Sequence, residues 1–280
     1  MDRIKIVTDS AADLPADIVE ELDITVVPLV VTFGETAYDD TTLSRDKFWD
    51  MVARFTRPKT SQPPLGVFQE AFGRLVDQGY RVLCTTITSR HSGTYNAACA
   101  AAQAFADRVT VFDSRSLSIG QGLQAVQAAR MALQDVSMDR ILETLSSLRD
   151  RTRIFIELDT LEFIRRGGRV DNLMPTIDRI ARVLHVKPLL TLVDGELKLL
   201  GVARSYKKGM RRIKEDLLRL GPLEALGVMH IRCQEMGEQL ADDLAKLTSI
   251  PRDQIAFGEA GSVLACHGGK GVVAAMGIPL

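Results

Sequence analysis

The chain has 280 residues, 46% of them hydrophobic and 25% charged, with a formal net charge of −1. That length suits one large or two ordinary domains, and the composition is that of a globular protein. The near-neutral charge excludes the strong basic excess that non-specific nucleic-acid binding needs.

The four cysteines (Cys84, Cys99, Cys233, Cys266) form no CxxC pair and no metal-like spacing, so they read as free thiols in a reducing compartment. Met1-Asp2-Arg3-Ile4 lacks the basic start and long apolar run of a signal peptide. The apolar run 24–33 is interrupted by Thr25, Pro28 and Thr32 and has about half the length of a membrane span. The expectation is a cytoplasmic protein with no integral membrane segment.

In chain order, Ile4-Lys5-Ile6-Val7-Thr8 predicts a strand. Pro15 opens a helix to about Leu22, with Asp13 as its expected cap. Residues 24–33 read as one buried strand region. Ser44 caps a helix carrying Phe48, Trp49 and Val52. Thr60-Ser61-Gln62-Pro63-Pro64 reads as a stiff loop. Residues 67–76 follow as an amphipathic helix with Phe68, Phe72, Leu75 and Val76 on one face. A strand at 82–87, an Ala-rich helix at 95–105, a strand at 109–112 and a helix at 122–133 complete an alternating first half. Such alternation predicts an α/β domain with a mostly parallel sheet and flanking helices.

The second half predicts helices at 138–148, 161–164, 175–184, 204–220 and 236–247, and strands at 153–158, 225–231 and 254–257. Asp194-Gly195 joins 187–193 to 196–200 as a hairpin with a type I′ turn. His267 stands in a Gly-rich turn before an apolar strand at 272–276. Hairpin and scattered strands predict α+β packing, which gives an N-terminal α/β domain over 1–152 and a C-terminal α+β domain over 153–280.

The chemistry-bearing residues cluster at predicted strand ends. Asp9-Ser10 and Asp113-Ser114 each follow an apolar strand, and a third strand leads into Ser92-Gly93-Thr94. In open α/β sheets ligands gather where strands end, and hydroxyls with N–H groups there suit a carboxylate or phosphate. Gly93 would let a ligand approach the backbone, while Ser92 could equally be a helix cap. Thr60-Ser61 is a second hydroxyl pair, alternatively an ordinary turn. Arg165, Arg166 and Arg169 around Gly167-Gly168 fit an anion clamp or a solvated helix end. Lys207, Lys208, Arg211, Arg212 and Lys214 form a basic face, either solvated or a docking surface.

Other motifs fail. Gly269-Lys270 is followed by Gly271 and preceded by Leu264 where Walker A needs Gly. Gly120-Gln121-Gly122-Leu123-Gln124-Ala125 fits a dinucleotide string, but seven residues separate it from its strand, so it reads as helix-start packing. No G-x-S-x-G elbow is present, which weakens the rival reading of a hydrolase with Ser92 as nucleophile, His267 as base and Asp9 or Asp113 as orienting acid. A phosphate-head ligand is a further alternative.

In order along the chain, Thr8-Asp9-Ser10-Ala11-Ala12-Asp13-Leu14-Pro15, Thr60-Ser61-Gln62-Pro63, Ser92-Gly93-Thr94-Tyr95, Asp113-Ser114, Asp159-Thr160-Leu161-Glu162-Phe163, Arg166-Gly167-Gly168-Arg169, Lys187-Pro188, Asp194-Gly195, Arg204 and His267-Gly268 resemble the DegV family of bacterial fatty-acid-binding proteins. The resemblance implies two domains with a long-chain fatty acid between them and no other cofactor. It implies a carboxyl group held by Thr60, Ser61, Ser92, Gly93 and Thr94, with His267 in the polar network. Arg169 and Arg204 would lie near the exit or a partner surface. It further implies a non-catalytic protein that presents the acid to a separate ATP-dependent fatty acid kinase, whose acyl phosphate feeds phospholipid synthesis. His91 stands where many relatives have Leu, and Gly269-Lys270 where many have Gly-Pro.

Overall fold

The computed structural model describes residues 3–55, 58–160, 163 and 186–280. The chain divides into two compact units. The first gathers residues 1–150 and 261–263, the second 151–260 and 264–280.

The first unit runs β1 (Ile4–Asp9), α1 (Ala16–Glu21), β2 (Thr25–Val27), β3 (Val30–Phe33), β4 (Thr36–Asp39), α2 (Arg45–Arg54), β5 (Lys59–Ser61), α3 (Leu65–Asp77), β6 (Arg81–Thr86), α4 (Thr94–Ala102), β7 (Val109–Asp113), α5 (Ile119–Leu133) and α6 (Met138–Arg151). A parallel sheet has the order β2-β1-β6-β7, and a small antiparallel sheet has the order β4-β3-β5. The parallel sheet forms because β1 and β6 are apolar enough to be covered, Val7, Val82, Leu83 and Cys84 being fully buried. Helix α3 lays Phe68 and Phe72 on it with ring centroids 5.6 Å apart. Helix α4 packs closely through Ala97, Ala98 and Ala101.

Two expectations change here. The apolar run 24–33 is two strands in two sheets, because Pro28 lacks an N–H for the ladder and Leu29 N–H is taken by Ser10 Oγ at 2.9 Å. The Thr60-Ser61 segment is strand β5 rather than loop, with Ser61 opposite Val30 and Thr60 opposite Val31. The G-x-G-x-x-A string does mark helix packing. A Cβ on Gly122 would stand 2.6 Å from the carbonyl oxygen of Ala12 and 3.1 Å from Leu14 Cδ2.

The second unit runs β8 (Arg153–Glu157), β9 (Lys187–Val193), β10 (Glu196–Ala203), α7 (Tyr206–Leu218), β11 (Leu223–Ile231), α8 (Gln234–Leu247), β12 (Ala256–Glu259), α9 (Ser262–Gly268) and β13 (Val272–Pro279). Its six strands have the order β10-β9-β8-β13-β11-β12, antiparallel except for the last pair. The Asp194-Gly195 hairpin forms as expected, both residues at positive φ (50° and 78°) as a type I′ turn requires. Helices α7 and α8 supply Ile213, Leu217, Leu240 and Leu244 to the core against Val228 and Val273.

One carboxyl is sealed in this core. Glu157 is fully buried, and neither of its oxygens has a partner among the described residues. Burial pushes its pKa up from 4.5 to about 8. Gly209 on α7 leaves it room, since a Cβ there would overlap the carboxyl group, with Oε1 at 2.7 Å.

The predicted helices at 161–164 and 175–184 fall outside the described residues, apart from helical Phe163. Among the described residues no helix is long and apolar enough to cross a membrane. No group of three or more His, Cys, Asp or Glu side chains among them could hold a metal ion.

Candidate functional site

Four parallel strands bring all their carboxyl ends to one edge of the first unit, and polar residues collect there. Thr8, Asp9, Thr85, Thr86, Thr88 and Ser114 are completely buried. Asp9 Oδ2 accepts Ile87 N–H at 2.7 Å and Oδ1 accepts Ala11 N–H at 3.0 Å, which ties the end of β1 to the end of β6. Burial pushes Asp9 up to about 6, although these N–H groups pull the other way. Asp113 accepts Ser89 N–H (3.2 Å), Ser89 Oγ–H (2.5 Å) and Arg115 N–H (3.0 Å). Ser114 Oγ donates to Ser116 O and accepts Ser116 N–H. The two Asp-Ser pairs are therefore loop clips, their polar atoms engaged by neighbouring backbone.

The third strand end differs. Ser92 is half-buried, and Gly93, rather than Ser92, is the N-cap residue of α4. Ser92 Oγ lies 2.8 Å from Thr94 Oγ1 and accepts Thr94 N–H at 3.3 Å, while Thr94 is fully buried. Gly93 lets a second segment close on this turn. A Cβ there would overlap Gln62 Oε1 and stand 2.9 Å from Gln62 Cδ. Gln62 follows β5 directly and precedes Pro63, so its backbone continues extended. Alternation along that run puts Thr60 and Gln62 on one side and Ser61 on the other. Thr60 is half-buried and Ser61 exposed.

The first unit thus unites Ser92, Gly93 and Thr94 with the Thr60–Gln62 run through one amide. Gln62 is the residue that motif reading passed over. Its signal was its place two residues beyond Thr60, on the same side of an extended chain.

The remaining expected residues lie elsewhere. His267 ends α9 in the second unit rather than standing in an open turn, and the glycines after it take positive φ (77° at Gly269, 80° at Gly271). Arg204 is exposed just after β10. Arg165, Arg166 and Arg169 lie outside the described residues. The α7 basic face is largely ion-paired. Arg211 faces Glu215, Arg212 and Arg219 share Asp216, and Lys214 meets Asp243 at 2.6 Å.

Asp13 also departs from expectation. The N-cap residue of α1 is Pro15, and Asp13 caps nothing there. Its carboxyl instead accepts Ser118 Oγ–H at 2.5 Å and Gly261 N–H at 2.8 Å. Nor do Asp9 and Asp113 suit a triad, since both oxygens of each already accept hydrogen bonds, from the segment after β6 and, at Asp9, from Ala11 N–H.

Comparison of the whole chain with known proteins points to one family. The family model described as "Uncharacterised protein, DegV family" covers residues 3–280. The DegV domain-containing protein YejH of Lactococcus lactis subsp. lactis is 34% identical over 278 residues, 98% of each chain. Among solved structures, a DegV family protein from Thermus thermophilus described by its fatty acid binding superposes with a TM-score of 0.90 at 29% identity, covering 99% of this chain and 100% of that one. A stearic-acid-binding protein from Eubacterium ventriosum superposes with a TM-score of 0.86 at 28% identity, covering 100% and 99%.

Proposed function

This chain belongs to the DegV family, and from that premise we propose that it binds a long-chain fatty acid and presents the carboxyl group to a separate kinase. The observation that carries the reading is the closure of Gln62 over Gly93, which sets the Thr60–Gln62 run against the Ser92–Thr94 turn. Relatives with known structures are described as fatty-acid-binding, one of them with stearic acid.

The division of labour follows from magnitudes. A tail of about 15 carbons yields roughly 12 kcal/mol gross on burial, at about 0.8 per methylene. Ordering a flexible chain and associating it offset much of that. The tail supplies affinity, and the hydroxyls supply orientation at about 0.5–3 kcal/mol per hydrogen bond. Ser92, Thr94 and Thr60 are neutral donors, so the carboxylate keeps its charge and its nucleophilicity. In the partner's reaction a carboxylate oxygen attacks the γ-phosphorus of ATP, and ADP leaves. Nothing in the chemistry asks this chain to make or break a bond. Ser61 stands on the far side of the strand from Thr60, so Thr60 leads the contact and Ser61 contributes less. His267 and Arg204 in the second unit, and Arg169, enter the proposal through the family pattern alone. The reading places the chain in the cytoplasm with its kinase, upstream of phospholipid synthesis.

Native mass spectrometry of the purified protein, before and after organic extraction, tests the first half. A one-to-one adduct that releases a long-chain fatty acid is expected. Protein that carries none and takes none up overturns the reading. Acyl-phosphate formation with ATP and a fatty acid kinase tests the second half. Ser92→Ala is expected to lower it while the fold stays intact, and an unchanged rate removes Ser92 from the site.

A further inference from the structure

The first unit contains a cavity of about 560 Å³ whose lining includes none of the residues assigned to the fatty-acid head group. Three acidic residues line its wall: Asp9, Asp13 and Asp40. Burial is the leading cause that raises all three, Asp9 and Asp40 to about 6 and Asp13 to about 7. Exposed Glu20 adds a fourth acid, and Arg45 is the one basic side chain among the described lining residues. The wall therefore carries an excess of acid that its own cation cannot balance.

Two atoms mark where a ligand would be held. Asp40 Oδ1 is buried with no partner. Ser262 is 3% exposed, forms part of the wall, and its Oγ is likewise without a partner. A buried hydroxyl or carboxylate oxygen left unbonded costs free energy that a donor ligand would recover. The hydroxyl residues Ser10, Thr41 and Ser44 also line it, and Leu14, Val19, Val26 and Leu43 supply an apolar part.

We propose that this cavity binds a small organic ammonium ion, its charged head among Asp9, Asp13, Asp40 and the Ser262 hydroxyl, its hydrocarbon part against Leu14, Val19, Val26 and Leu43. An ammonium group brings several N–H donors to a wall of acceptors. An anion would meet carboxylates, and a hydrated metal ion would gain nothing from the apolar side. Among the described residues no group of three or more His, Cys, Asp or Glu side chains could hold a metal ion. A cavity of a few hundred cubic ångströms, mostly apolar with a few convergent polar groups, is the usual form of a small-molecule site.

Isothermal titration of the full chain with propylammonium and with 1,4-diaminobutane tests the proposal, with magnesium and inorganic phosphate as comparators. Saturable one-to-one binding of an amine is expected, weakened about tenfold or more by Asp40→Asn. Fatty acid uptake should be unchanged in that variant. Ser262→Ala, which removes a single hydroxyl and keeps the charge, is expected to weaken amine binding by a smaller factor and serves should Asp40→Asn fold poorly. The proposal is overturned if neither amine binds, if magnesium or phosphate binds more tightly than both amines, or if the folded variants bind amines as the parent does.

Discussion

The first unit buries its polar groups in company, and the second buries one almost alone. At the carboxyl edge of β2-β1-β6-β7, Thr8, Asp9, Thr85, Asp113 and Ser114 exchange hydrogen bonds with one another and with adjacent backbone. In the second unit Glu157 sits under Gly209 with no hydrogen bond to either oxygen among the described residues. Topology explains the contrast. Parallel strands deliver all their carboxyl ends, and the loops after them, to one edge. In the second sheet β13 runs antiparallel to both β8 and β11, so strand ends and their polar loops are shared between two edges. Glu157, pointing inward from β8, meets Gly209 rather than a polar loop. The parallel unit builds sites, and the mixed unit leaves one fully buried carboxyl without a hydrogen bond among the described residues.

The largest expected effect breaks the isolated case. Gly209→Ala drives a methyl group into the Glu157 carboxyl and should cost about 3 kcal/mol, read from urea denaturation. Adding Glu157→Ala should return part of that loss, and a cycle with no coupling would show that the two residues do not meet. Next is pH. Between 4.5 and about 8 the folded chain holds a proton on Glu157 that the unfolded chain has released, so stability falls as pH rises through that window, by about 2–4 kcal/mol. Asp9, Asp13 and Asp40 act in the same direction at lower pH, Asp13 up to and somewhat beyond pH 7, so a Glu157 variant separates its share. Glu157→Gln should lessen the slope between pH 7 and 8, and an unaltered slope would assign it to another group.

Smaller effects sharpen the networked case. Gly93 has φ −76°, which any residue adopts, so Gly93→Ala acts through Gln62 and not through backbone strain. Fatty acid binding should weaken about tenfold with little change in melting temperature, and the Gln62→Ala background should absorb that loss. Equal losses in both backgrounds would separate Gln62 from the site. Ser92→Ala should cost about 0.5–1.5 kcal/mol of fatty acid affinity in a direct titration. Smallest is Arg211→Ala, which breaks an exposed pair with Glu215 and should alter stability by less than about 0.5 kcal/mol.

The strands and helices of the first unit were legible because its apolar runs are long and punctuated by Gly, Pro and capping Ser44, which does accept Lys47 N–H. The hairpin was legible because Asp-Gly demands one turn type. The β2–β3 break was not, since Pro28 is a local signal whereas the change of sheet depends on Leu29 meeting Ser10. Asp13 looked like a cap because its partners Ser118 and Gly261 are remote in sequence. The hydroxyl motifs of the site were visible one by one. That Gln62 joins them depends on a tertiary contact that only the absent Cβ of Gly93 permits.

Residues 261–263 return to the first unit from deep in the second half of the sequence, and Gly261 donates to an aspartate 248 positions earlier. During synthesis from the N-terminus, Asp13 and the wall that Ser262 completes must wait until almost the whole polypeptide has left the ribosome. The first 150 residues emerge as an unfinished product. A genetic dissection after residue 150 would separate that product from its closing piece.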